Sequence, residues 1–236
     1  MTAVQEIRTN GGETVTLPFS EQQFFDVFGR YNTRVWPVVL LLWLATVWVV
    51  VQLVRGRSSS AVLGLLLAFH WAWSGVVYHA SFFAAVNPAA WLFAGLFTIE
   101  SAIFLWIALT RRIEFVWGHS ARHKFAAVFI VYSLVYPLLM LASGHEYPRA
   151  PLFAVPCPTT LFTCGVLLTA MPRVPVAASV VPVAWTAIAG SAVILLDVIP
   201  DAMLFIAGAS VAMAAIAQRR VASNHLFASP FEARRS

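Results

Sequence analysis

His70 and Glu100 are the residues best placed for buried acid–base chemistry, because each sits near the middle of an apolar run. Polar groups at membrane depth are costly and need a partner. The two runs are joined by a short turn, so the side chains stand at similar depth on antiparallel neighbours. A direct His70–Glu100 contact would offset both desolvation costs. Such a pair suits proton coupling or ligand binding; the plainer alternative is a polar clamp holding two helices together. His79 lies nine residues beyond His70. That is about 13.5 Å along a helix and half a turn around it, so the two cannot share one metal ion. His79 belongs near the outer end with His145, Glu146, Tyr147 and Cys157. There the group forms either a periplasm-facing polar cluster or ordinary headgroup-level chemistry.

Residues 144–160 carry four prolines, Pro148, Pro151, Pro156 and Pro158, followed by Thr159 and Thr160. Proline is favourable at the first position of a helix, and threonine hydroxyls can cap free amides. A helix that starts inside a membrane directs its positive end at whatever fills the cavity there. Thr159 and Thr160 are therefore candidates for binding an anion or polar ligand, against the blander reading of a proline-broken helix packed on its neighbours. Cys157, Cys164 and Met171 recur every seven residues. On one helix the cysteines would be about 10.5 Å apart, beyond disulfide reach. The stripe would suit Cu(I) or another soft ion; the same residues are also ordinary apolar filler. His119 and His123 are four apart but share a basic loop with Arg122 and Lys124, which reads as solvated. No HExxH or similarly compact ligand set is present, so a zinc hydrolase is not indicated. The single lysine, Lys124, stands at the edge of a span, so a retinal Schiff base is not indicated either. No cofactor is read from the sequence.

The elements that must position these residues follow from composition. Of 236 residues, 60% are hydrophobic and 11% charged. A soluble domain carries about 25% charged residues, and a chain this apolar cannot hide its surface in one soluble core. A soluble enzyme and a disordered chain are both excluded, leaving an all-α polytopic membrane helix bundle. Apolar runs fall at about 36–54, 61–86, 89–109, 125–143, 151–171, 176–196 and 202–217. Each approaches the roughly 20 residues that a spanning helix needs, which predicts seven transmembrane segments with the fifth broken by prolines. Residues 1–34 lack a signal-peptide pattern. Within them Ser20 and Gln23 have capping-box spacing, followed by Phe24, Phe25, Val27, Phe28 and Tyr31, which predicts a short amphipathic helix at the interface. The expected organisation is a periplasmic segment 1–34, a seven-span domain 35–218 and a basic tail 219–236. Small residues (Ala187, Gly190, Ser191, Gly208, Ser210, Ala212 and Ala214) suit close contact between the last two helices.

The net charge of +5 comes from basic residues in the loops, where they set topology rather than bind nucleic acid. With seven spans, eleven basic residues share the side of the C-terminus: Arg55, Arg57, Arg111, Arg112, Arg122, Lys124, Arg173, Arg219, Arg220, Arg234 and Arg235. Four lie on the other side: Arg8, Arg30, Arg34 and Arg149. A fifth segment that turned back would weaken and reverse this split. The positive-inside rule thus predicts an outer N-terminus and a cytoplasmic C-terminus.

Several stretches resemble a family of uncharacterised bacterial multi-pass membrane proteins known as a domain of unknown function. They are Leu17 to Ser20 with Gln23 to Phe25, Tyr78-His79, Phe82-Phe83, Asn87 to Ala90, Tyr136 to Leu138, Gly144-His145, Tyr147-Pro148 and Pro156 to Thr160, within roughly residues 17–200. The resemblance implies a multi-span protein of the bacterial inner membrane and assigns no catalytic role. Three functions compete. The first is a transporter or binder of a small molecule or ion, with an outward-facing cavity between helices two to five. The second is a non-catalytic subunit or assembly factor, as a homo-oligomer or in a membrane complex. The third is a membrane enzyme using His79, His145 and Cys157 around a metal or haem.

Overall fold

The computed structural model describes residues 5–8 and 14–228, with side chains from 17 to 218. The expected interfacial helix and first span are one continuous helix, α1 (Glu21–Val54), so the 34/35 boundary falls inside it. Its start is the anticipated capping box: the Gln23 amide donates to Ser20 Oγ at 3.2 Å, and the Ser20 amide donates to Gln23 Oε1 at 2.8 Å. The aromatic stripe does not lie on a membrane surface. Phe25, Val27, Phe28 and Tyr31 are buried against the bundle, because the partner rings Tyr78 and Phe83 rise to the same level.

After α1 come α2 (Ser60–Ala85), α3 (Ala90–Thr110), α4 (Ala121–Ala142), α5 (Pro156–Leu167), α6 (Ala177–Gly190) and α7 (Ala202–Ala228). A single turn, Ala192–Leu195, and a 3₁₀ turn, Ile199–Asp201, join α6 to α7. Among the described residues six helical stretches are long and apolar enough to cross a membrane, where seven were expected. Large apolar side chains such as Leu41, Trp91, Leu92 and Leu109 face outward, as a lipid-embedded bundle requires. The all-α expectation also gains two small sheets. Strand β1 (Gln5–Arg8) pairs antiparallel with β2 (Thr14–Leu17), and β3 (Glu114–Phe115) with β4 (Ala170–Met171).

The missing long helix is the fifth. Helix α5 has 12 residues, about 18 Å of helix, well short of the roughly 30 Å apolar core of a bilayer. It is the centre of the bundle: every residue from Pro156 to Leu167 except Cys157 is buried. Gly165 lets it lie directly on α4, where an added Cβ would meet Ile130 and the Ala126 carbonyl. The approach to α5, residues 148–155, is non-helical yet largely buried, so its carbonyls need donors. Asn32 of α1 supplies two, its Nδ2 donating to Pro148 O at 2.6 Å and to Ala150 O at 2.8 Å. Tyr31 donates to Ala154 O at 3.1 Å. This stretch therefore folds back against the start of α1, while β4, beyond the end of α5, lies beside the α3–α4 connection.

Two further features shape the bundle end at Glu21. From Trp73 to Phe82, α2 widens into a π-helix, a conformation found mostly in short pieces and often at functional sites. The wider turn brings Ser74, Tyr78 and His79 onto the buried side together. Gly190 faces the Phe205 ring and Gly208 faces Thr186, so small residues do set the contact between α6 and α7.

Candidate functional site

A cavity of about 190 Å³ opens at the Glu21 end of the bundle. Its walls come from nearly every element: Leu17 to Phe19, Phe24 and Phe28 of α1, Tyr78, His79 and Phe83 of α2, and Phe93 of α3 contribute. Tyr136 of α4, Pro156 and Cys157 of α5, Trp185 of α6 and Asp201 complete it. The surface is mostly apolar, with aromatic rings prominent in it. No lysine or arginine among the described residues lines it.

The polar end of the cavity is built around Asp201. Its Oδ1 accepts from Tyr136 Oη at 2.5 Å and its Oδ2 from the Cys157 thiol at 3.2 Å. Tyr132 donates to the adjoining Pro200 carbonyl at 2.9 Å, fixing the turn that carries Asp201. The group beside the start of α5 is thus the chain's own carboxyl, which complements the positive helix end that was expected to face a ligand.

On another wall His79 stands inside five rings, Tyr78, Phe83, Phe93, Phe97 and Trp185, at centroid separations of 4.8 to 6.0 Å. Neither ring nitrogen of His79 has a hydrogen-bond partner among the described residues, and neither does Trp185 Nε1. Both residues are buried.

Of the eight residues expected to bind ligand, the structure brings His79 and Cys157 to this cavity and leaves six elsewhere. The expected His70–Glu100 pair does not form. His70 Nε2 bonds Thr46 Oγ1 of α1 at 2.9 Å, and its ring packs on Phe153 and Phe162. Glu100 is fully buried, and neither carboxyl oxygen has a hydrogen-bond partner among the described residues. Equal depth does not fix the direction in which a side chain points, and the Thr46 hydroxyl of α1 with the Phe153 and Phe162 rings claimed the imidazole. Tyr147 is exposed, while His145 packs on Phe25 and bonds Ser143 at 3.2 Å, so neither closes the cavity mouth. Thr160 donates to Pro156 O and Thr163 to Thr159 O, while Thr159 pairs with Ser74; these hydroxyls serve carbonyls and one another rather than capping amides. The soft stripe is dispersed: Cys157 lines the cavity, Cys164 is buried, and Met171 is exposed beside Arg122. Among the described residues no group of three or more His, Cys, Asp or Glu is placed to hold a metal ion.

Asp201 and Trp185 were not singled out from the sequence, and Tyr136 only as part of the family-like stretch Tyr136 to Leu138. Asp201 stands between the sixth and seventh apolar runs, one residue after Pro200, a helix-starting proline. Residues 21–226 match the model of a family of unknown function, DUF6064. No curated protein and no solved structure matches the chain.

Proposed function

The chain belongs to this family of unknown function, DUF6064, and from that premise we propose that it is a seven-crossing membrane protein whose cavity binds a small molecule reached from outside the cell. Six crossings are long helices. The fifth is made by residues 148–171, whose first part packs on Asn32 and whose last part pairs with the α3–α4 connection. With that count, the basic loops holding Arg55, Arg57, Arg111, Arg112 and Arg173 share one side, which the positive-inside rule assigns to the cytoplasm. The cavity then lies at the outer end.

The observation that carries the reading is the cavity itself: a concave, mostly apolar space with a few polar groups is the usual form of a small-molecule site. Binding is favoured over passage because the bundle beneath is filled. Phe97 contacts both His79 and Trp185, Trp71 packs against Phe97 at 4.4 Å with the rings tilted, and Trp71 Nε1 donates to Thr163 of α5 at 2.9 Å.

The test is a thermal-shift screen of small molecules on the protein in micelles. A ligand at about 100 times its Kd stabilises by about 2.7 kcal/mol, a shift of several degrees. Compounds that stabilise the wild type should have no effect on Ala189→Phe, which fills the cavity from α6. Hits that shift both proteins equally would place binding elsewhere.

A further inference from the structure

At the Val54 end of the bundle, away from the cavity, two connections meet: residues 55–59 between α1 and α2, and residues 111–120 between α3 and α4. They enclose a cleft of about 420 Å³. We propose that this cleft seats the headgroup of an anionic phospholipid, with the acyl chains along the outward side of α1. The inference needs the helices to cross a membrane and does not need the cavity to be a binding site.

Charge is the first ground. The two connections carry Arg55, Arg57, Arg111 and Arg112 against one acid, Glu114, and all five are exposed. Four minus one leaves three positive charges. None of the four arginines has a carboxylate partner among the described residues; the ion pair formed there, Arg149 with Asp26, stands at the Glu21 end. Arg111 and Glu114 both line the cleft without pairing. Basic groups beside the ends of spanning helices attract anionic headgroups.

Donors are the second ground. The guanidinium of Arg111 is a planar fork that matches two phosphate oxygens. Ser59 and Ser60 also line the cleft. The Ser59 hydroxyl has no partner among the described residues. Ser60 Oγ accepts from the Phe115 amide at 2.9 Å, which leaves its own proton free to donate.

Position separates a lipid from a soluble phosphate ester. Helix α1 ends at Val54 and α3 at Thr110, so the connections lie where the chain leaves the apolar core, at headgroup level. The cleft's rim includes the exposed side chains of Val54 and Val116, and Val51 is exposed one turn below on α1. A soluble phosphate would use the donors and leave that rim bare. Nearby, the Arg112 guanidinium lies 5.8 Å from the centroid of the exposed Trp106 ring, and tryptophan collects at this level of a bilayer.

The experiment is native mass spectrometry of the delipidated full chain in micelles, titrated with phosphatidylglycerol or with phosphatidylcholine. The first phosphatidylglycerol should bind about tenfold more tightly than the first phosphatidylcholine, and glycerol 3-phosphate should not displace it. Arg111→Gln should weaken phosphatidylglycerol about fivefold and leave phosphatidylcholine unchanged, which also shows that the variant is folded. Lys124→Gln removes the same charge from α4, outside the cleft, and should cost less than about twofold. Equal affinity for the two lipids would overturn the proposal. Equal losses in Arg111→Gln and Lys124→Gln would overturn the cleft in favour of diffuse attraction. Displacement by glycerol 3-phosphate would overturn the lipid in favour of a soluble phosphate ester. Each of these outcomes leaves the cavity reading standing.

Discussion

Replacing Asn32 by leucine should destabilise the protein by about 1–4 kcal/mol, because the buried Ala150 carbonyl and the half-buried Pro148 carbonyl lose their donor. Asn32 is fully buried, and its amide is the donor to both Pro148 O and Ala150 O. Non-helical backbone is tolerated in a bundle only where protein or a wet cavity satisfies it. Leucine has similar bulk, so the change tests the hydrogen bonds rather than the packing. The neighbouring Thr33 is exposed and bonds only carbonyls of its own helix, so Thr33→Ala should stay within about 0.5 kcal/mol of wild type. Denaturant unfolding in micelles compares the two. Wild-type stability for Asn32→Leu would show that residues 148–155 do not depend on α1.

The second large effect is expected at Gly165. An ideal Cβ there would lie 2.7 Å from Ile130 Cγ1 and 3.0 Å from the Ala126 carbonyl oxygen. The Ile130 side chain can turn aside, but the backbone of α4 cannot move without separating from α5, which is buried on all sides. Gly165→Leu should therefore cost more than about 3 kcal/mol, the upper range of overpacking effects, and prevent accumulation of folded protein. Gly165→Ala should fall between leucine and wild type. Gly95, also in a spanning helix, has open space around it, so Gly95→Ala should be neutral or stabilise by up to about 1 kcal/mol through helix propensity. Folded yield after solubilisation, followed by size-exclusion profile, reads the series. A monodisperse Gly165→Leu protein would mean that α5 is not seated against α4 as described.

The parts of this fold legible in the sequence were those with a local cause. Ser20 and Gln23 announce the start of α1 by spacing alone, and prolines 148 to 158 announce that the fifth apolar run cannot be one helix. His79 and Cys157 were recognisable because polar or reactive groups near the ends of apolar runs are few. The parts that were not legible depend on direction around a helix axis. His70 and Glu100 share a depth, yet His70 turns to Thr46 of α1 instead. The π stretch from Trp73 to Phe82 contains the Ser74-Gly75 pair, which also occurs in ordinary helix, and it re-aims Tyr78 and His79. Asn32 carries no local signal of its role, which emerges only when residues 148–150 fold back onto it. Asp201 has the same history, since its partners Tyr136 and Cys157 lie 65 and 44 residues away.

The central claim, an outward-facing ligand cavity, is tested most directly at Cys157, the half-buried thiol on its wall. The rate of modification by a membrane-impermeant maleimide should be measured from each side of the membrane, with and without a stabilising compound from the thermal screen. Cys164→Ala removes the other, buried, thiol. The account predicts modification from outside only, well below the rate of a cysteine placed at exposed Ser143, and slower again when ligand is bound. Modification from the cytoplasmic side, or at the Ser143→Cys rate with no protection by ligand, would contradict it.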